Sequence, residues 1–172
     1  MSETERRRGG HGQVEIYLVR HAHAGDPDAW HGPDDERPLS SKGQGQAARA
    51  AAFLKRAGVR PDALLSSPKL RSTQSAAPIA DALGVAVRTD PLLASGTDLV
   101  DLERILVATG NPGSVVVVGH DPDFSEIAAE LTGADSLPVP KGAIVRIDAT
   151  RPLVPGAGVV RWLIPPDLLS EL

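Results

Sequence analysis

The sequence predicts an α/β protein, a three-layer α/β/α sandwich built on a mainly parallel central sheet. Three observations lead there. Short β-branched apolar runs alternate with segments of helical period along most of the 172 residues, which is the pattern of βαβ units. That length fits one ordinary domain with a sizeable core. Hydrophobic residues at 41% against 23% charged are globular proportions, and with aromatics at 3% the core must be made of Ala, Val, Leu and Ile.

Taken in order, Val-Glu-Ile-Tyr-Leu-Val-Arg at 14–20 is an apolar β-branched run that predicts a buried strand. A loop rich in Asp, Pro and Gly follows over 25–39. Ser40 or Ser41 then offers an N-cap, and the Ala-rich stretch 46–56 puts Ala47, Ala50, Ala51 and Leu54 on one helical face. A short strand is expected at 63–66, a helix over 69–83 stopped by Gly84, and a third strand at 85–88. A helix over 99–108 closed by Gly110 leads to the most strand-like segment, 114–118. After Gly119-His120 comes a helix over about 124–131, ending at Gly133. Two further strands, 144–147 and 159–164, are expected to lie antiparallel at one edge. Phe124 and Trp162 are assigned to the core.

Composition excludes several functions. A formal net charge of -4 argues against a nucleic-acid surface, which needs clustered Lys and Arg. No cysteine is present, so disulfides, Cys-based metal sites and a thiolate nucleophile are ruled out. The N-terminal stretch is polar and lacks the apolar core of a secretory signal, and no apolar run is long enough to span a membrane. The expectation is a cytoplasmic protein, monomeric or weakly dimeric, with residues 1–12 a disordered, solvated tail.

In largely parallel sheets the site lies beyond the carboxyl ends of the strands. Three strand ends here carry polar groups: Arg20-His21, then Ser66-Ser67-Pro68 with Arg71 a helical turn on, then Gly119-His120. Arginine forks match phosphate oxygens in a bidentate way. The helix N-termini that follow add N–H groups and positive dipole. Such a pocket suits an anion with several oxygens. Neighbouring positive charge should keep His21 neutral, with one ring nitrogen donating to a backbone carbonyl and the other free to attack phosphorus. Arg20, Arg71 and His120 would stabilise the negative charge of a phosphoryl transition state.

These residues resemble the histidine phosphatase superfamily, the phosphoglycerate mutase-like fold. Leu18-Val19-Arg20-His21-Ala22 is similar to its strand-end signature. Arg37-Pro38-Leu39-Ser40-Ser41-Lys42-Gly43, Ser67-Pro68-Lys69-Leu70-Arg71 and Val118-Gly119-His120-Asp121-Pro122 follow in the family's order. The resemblance covers about residues 14–148, and the short length and Gly-His-Asp-Pro stretch look like the phosphohistidine phosphatases of the SixA type. It implies one histidine phosphatase domain over 13–172, His21 as the phosphorylated nucleophile, and Arg20, Arg71 and His120 as the phosphate pocket. It implies no cofactor and no metal; the partner it implies is a phosphorylated substrate, with a histidine-phosphorylated protein as one candidate.

One departure concerns the proton donor. Many members carry a glutamate after the third strand, where this chain reads Asp90-Pro91-Leu92-Leu93-Ala94-Ser95-Gly96-Thr97. Without a general acid, substrates whose leaving group departs unaided are favoured, phosphohistidine among them. Asp28, Asp34, Asp35 and Glu36 are the acidic candidates in the loop. His23 and Arg37 are candidate rim residues for substrate, while Trp30 and His31 belong to the same loop, Trp30 as a local packing anchor. Two rival readings remain. The sequence His21-Ala22-His23 with Asp26 and His120-Asp121 resembles the start of a metallohydrolase site, although only five histidines exist and the arginines would sit uselessly beside a cation. The alternatives to a phosphohistidine phosphatase are a broad small-molecule phosphomonoesterase and a non-catalytic phosphate-binding module.

Overall fold

The computed structural model describes residues 12–169. One six-stranded sheet runs through the molecule in the order β3-β2-β4-β1-β5-β6. Strand β1 (Gln13–Arg20) leads through two short 3₁₀ turns to helix α1 (Ser41–Arg56), then β2 (Ala63–Ser66), α2 (Leu70–Leu83) and β3 (Val87–Thr89). Helix α3 (Leu99–Ala108), β4 (Ser114–Gly119) and α4 (Asp123–Thr132) follow. The antiparallel pair β5 (Ile144–Thr150) and β6 (Gly158–Ile164) and a short α5 (Pro166–Leu169) complete the fold. Strands β1 to β4 are mutually parallel; β5 runs antiparallel to β1, and β6 to β5.

Alternating side chains give the sheet two buried faces. Ile16, Leu18, Val115, Val117 and Val145 pack with α3 and α4 through Leu102, Ile105, Phe124 and Ile127. Tyr17, Val19, Val116, Val118 and Ile144 pack on the other side with Ala50, Leu54 and Ile79 of α1 and α2. The three-layer expectation holds. Phe124 lies in the core, whereas Trp162 is only half-buried, stacked between Tyr17 and Phe53 at centroid distances of 5.9 and 5.5 Å.

Capping decides the helix boundaries. Helix α1 starts at Ser41, in line with the N-cap expected at Ser40 or Ser41, because Ser40 Oγ accepts the Gly43 N–H. Gly43 lets this first turn press against the backbone after β1: a Cβ there would run into the His23 carbonyl oxygen. Strand β3 begins at Val87 and not at Val85, since the Val85 and Gly84 N–H groups both close α2 onto Ala80 O. Gly84 adopts φ 67°, the left-handed conformation that a C-terminal glycine takes without strain. The tail expected at 1–12 falls outside the described residues except for Gly12, whose carbonyl accepts the Arg151 N–H. Among the described residues no helix is long and apolar enough to cross a membrane.

The topology positions the site. From β1 the chain turns to α1 on one face, and from its neighbour β4 it turns to α4 on the other. Adjacent parallel strands whose connections diverge leave a crevice at their carboxyl ends, the usual place for a ligand.

Candidate active site

That crevice opens into a cavity of 330 Å³. His21 and His120 sit at its base, each directly after its strand, with Arg20 in register with Gly119 and the His21 N–H donating to Gly119 O at 2.9 Å. Their rings lie 5.1 Å apart, and both residues are buried. Arg20 and Arg71 line the same cavity, so the four strand-end residues meet as the sequence predicts.

The first imidazole has a defined tautomer. His21 Nδ1 lies 2.8 Å from Ala22 O, which only accepts, so Nδ1 carries the proton and Nε2 keeps its lone pair. Ala22 is itself fixed, its N–H donating to Ser75 Oγ of α2 at 3.0 Å. Burial is the main cause that pushes the His21 pKa down to about 4, with Arg71, Arg20 and Lys141 adding repulsion and the Ala22 carbonyl opposing. His120 is pushed down to about 3, again chiefly by burial and then by His21, Arg71 and Lys69. Its Nε2 lies 2.7 Å from Ser67 Oγ, at the end of β2.

Both arginines present an unsatisfied donor. Arg20 Nη1 donates to Val139 O at 2.9 Å and pairs with Asp121 at 3.6 Å, while its buried Nε has no partner among the described residues. Arg71 donates from Nη1 to Asp34 O at 2.8 Å and from Nη2 to Asp34 Oδ2 at 3.0 Å, and its Nε is likewise buried and unpartnered. Buried N–H groups of this kind are rarely left without an acceptor. With both guanidinium groups lining the cavity beside a neutral imidazole, the site is a cradle for an oxyanion. A phosphoryl group there would meet a ring lone pair and two charged donors at once.

The remaining sequence candidates divide. Arg37 lines the cavity, yet its Nε is held by Asp34 at 3.0 Å and its Nη1 by Ala24 O at 2.8 Å, so it also braces the loop. His23 does not line the cavity: its Nδ1 lies 2.7 Å from Ser40 Oγ and its N–H is held by Gln46, which turns the side chain toward the start of α1. Its expected place at the rim is therefore corrected. Of the loop acids, Asp34 engages Arg71 and Arg37, which hold its carboxyl below the usual range, and Asp35 pairs with Lys69 at 3.6 Å. Asp28 and Glu36 stay at the surface, as does His31. Trp30 anchors the loop locally, donating to Pro33 O at 2.9 Å. Among the described residues no group of three His, Asp or Glu side chains is gathered closely enough to hold a metal.

Sequence reasoning missed three cavity residues, Lys69, Lys141 and Asp123. Lys141 had a signal: it precedes β5, and an antiparallel neighbour of β1 starts where β1 ends. Asp123 had none, because its place depends on a distant segment, the Thr97 N–H that it accepts at 3.1 Å.

A family profile described as "Histidine phosphatase superfamily (branch 1)" matches residues 16–95. An uncharacterised protein of Picosynechococcus sp. is 36% identical over 69% of this chain and 73% of its own length. The 8-oxo-(d)GTP phosphatase of Mycolicibacterium smegmatis is 30% identical over 59% of this chain, which spans only 32% of that protein. Among solved structures, the protein histidine phosphatase SixA complexed with tungstate superposes with a TM-score of 0.79 at 25% identity, covering 91% of this chain and 99% of that one.

Proposed function

Because the chain belongs to the histidine phosphatase superfamily and has its phosphoglycerate mutase-like fold, we propose that it is a metal-independent phosphatase of the SixA type, a hydrolase acting on phosphohistidine in proteins. Residues 13–172 act as one domain in this reading. His21 Nε2 attacks phosphorus in line, Arg20 and Arg71 hold the phosphoryl oxygens through their free Nε–H groups, and His120 donates to them. Water then releases phosphate from the phosphohistidine enzyme. The observation that carries the reading is the neutral His21 ring, with Nδ1–H committed to Ala22 O and Nε2 without a partner among the described residues, in a cavity that Arg20 and Arg71 also line. Phosphohistidine as the substrate is supported by the likeness to the SixA structure, at 25% identity and a TM-score of 0.79 over 99% of that chain.

The test is a steady-state assay on a phosphohistidine peptide, an aryl phosphate and a nucleotide, each with and without a chelator. Turnover of the peptide at least tenfold above the others, unchanged by chelator, supports the proposal. Preference for the nucleotide or aryl ester makes the chain a broad phosphomonoesterase, and binding without turnover makes it a phosphate-binding module.

The pH dependence follows from the lowered pKa of His21. A depressed value means that the neutral, nucleophilic ring persists to lower pH than an ordinary histidine allows. With the substrate's own ionisation near about pH 6 divided out, the acid limb of kcat/KM should fall near pH 4 and not near 6.5. A limb at 6.5 would mean that the ring is far more solvated than a buried His21 allows.

A further inference from the structure

The phosphoenzyme reading leaves open which group activates the water that releases phosphate, and we infer that Asp123 does so. The inference rests on that reading and adds a residue to it. Three carboxylates approach the cradle. Asp34 is held by both Arg37 and Arg71 and does not line the cavity. Asp121 lines it, but its two oxygens accept the Ser125 N–H and hydroxyl at 3.0 and 2.7 Å, and it pairs with Arg20. Asp123 is different. It is 8% exposed, and its Oδ2 accepts one backbone N–H, from Thr97. Its Oδ1 has no hydrogen-bond partner among the described residues, and the side chain lines the cavity on the wall shared with residues 94–96. A buried carboxylate with one fixed oxygen and one vacant oxygen is oriented and still able to accept a proton.

The wall that Asp123 occupies is formed by the segment in which the sequence lacks a glutamate. In this reading α4, and not residues 90–97, supplies the carboxylate. In the releasing step the water oxygen bonds to phosphorus as the P–Nε2 bond breaks. The electron pair returns to Nε2, and the water proton passes to Asp123 Oδ1. His21 leaves as a neutral ring, its Nδ1–H still on Ala22 O. For an ester substrate the first step runs the proton the other way, from Asp123 to the departing oxygen.

The experiment is rapid quench with a ³²P-labelled aryl phosphate, whose leaving group needs no proton. The wild-type chain should form and lose acid-labile phosphohistidine. Asp123→Asn keeps an oxygen for the Thr97 N–H; it should form phosphoenzyme at a near-normal rate and release phosphate roughly 10²–10⁴-fold more slowly, so that label accumulates toward one per chain. Should thermal unfolding show the Asn variant misfolded, Asp123→Ser replaces it with the same expected outcome. Normal release without accumulation overturns the inference, as does accumulation in Asp121→Asn alone. No phosphoenzyme in the wild type, with activity retained in His21→Ala, overturns the underlying reading instead.

Discussion

Replacing His21 by alanine is expected to abolish turnover, lowering kcat by about 10⁵–10⁶-fold, the range seen when a covalent nucleophile is removed. The expectation follows from the absence of a substitute. Among the described residues His120 is the only other imidazole that lines the cavity, and its Nε2 is engaged with Ser67. The substitution removes a buried neutral ring that accepts no bond from the rest of the fold, so the variant should stay folded and still bind phosphate through the two arginines. Phosphoenzyme trapping with ³²P and isothermal titration with inorganic phosphate check both halves. Turnover within tenfold of wild type would dismiss the covalent route.

Arg71→Ala is expected to lower kcat/KM by about 10³-fold, since a charged donor to a phosphoryl transition state typically contributes 10²–10⁵-fold. Arg71→Lys should recover little of it. Lysine ends in a single compact cation and cannot reproduce the guanidinium's rigid fork of donors. The same substitution releases Asp34, whose carboxylate then keeps only Arg37, so thermal unfolding should be measured in parallel. A lysine variant with full activity would show that charge alone, and not the guanidinium fork, holds the phosphoryl group.

Much of the fold and part of the site were legible in the sequence because both follow from short-range patterns. The β-branched runs gave the strands, and the strand-end rule brought Arg20, His21, Arg71 and His120 together from positions a hundred residues apart. The errors share a cause. Val85 has strand propensity, but its N–H is spent on closing α2. His23 sits two residues from His21, which suggests a shared direction, yet Ser40 and Gln46 capture it for α1. Asp34 was one of four loop acids, and nothing local says that it alone spans to α2. Asp123 depends on where residues 94–97 come to rest. Each of these is settled by a partner far along the chain, which local periodicity does not report.

The spacing of the two imidazoles has a wider consequence. They stand 5.1 Å apart because β1 and β4 are adjacent interior strands, and strands in a sheet are locked about 4.8 Å apart. Loop motion cannot stretch that gap. The acidic turn, the stretch before β5 and the segment before α3 lie outside the sheet, and they touch the site through Asp34 on Arg71, the Val139 carbonyl on Arg20 and the Thr97 N–H on Asp123. Exchanging them for those of another phosphatase should redirect which compound is hydrolysed while the two imidazoles keep their spacing, provided that these three contacts are carried over with the graft.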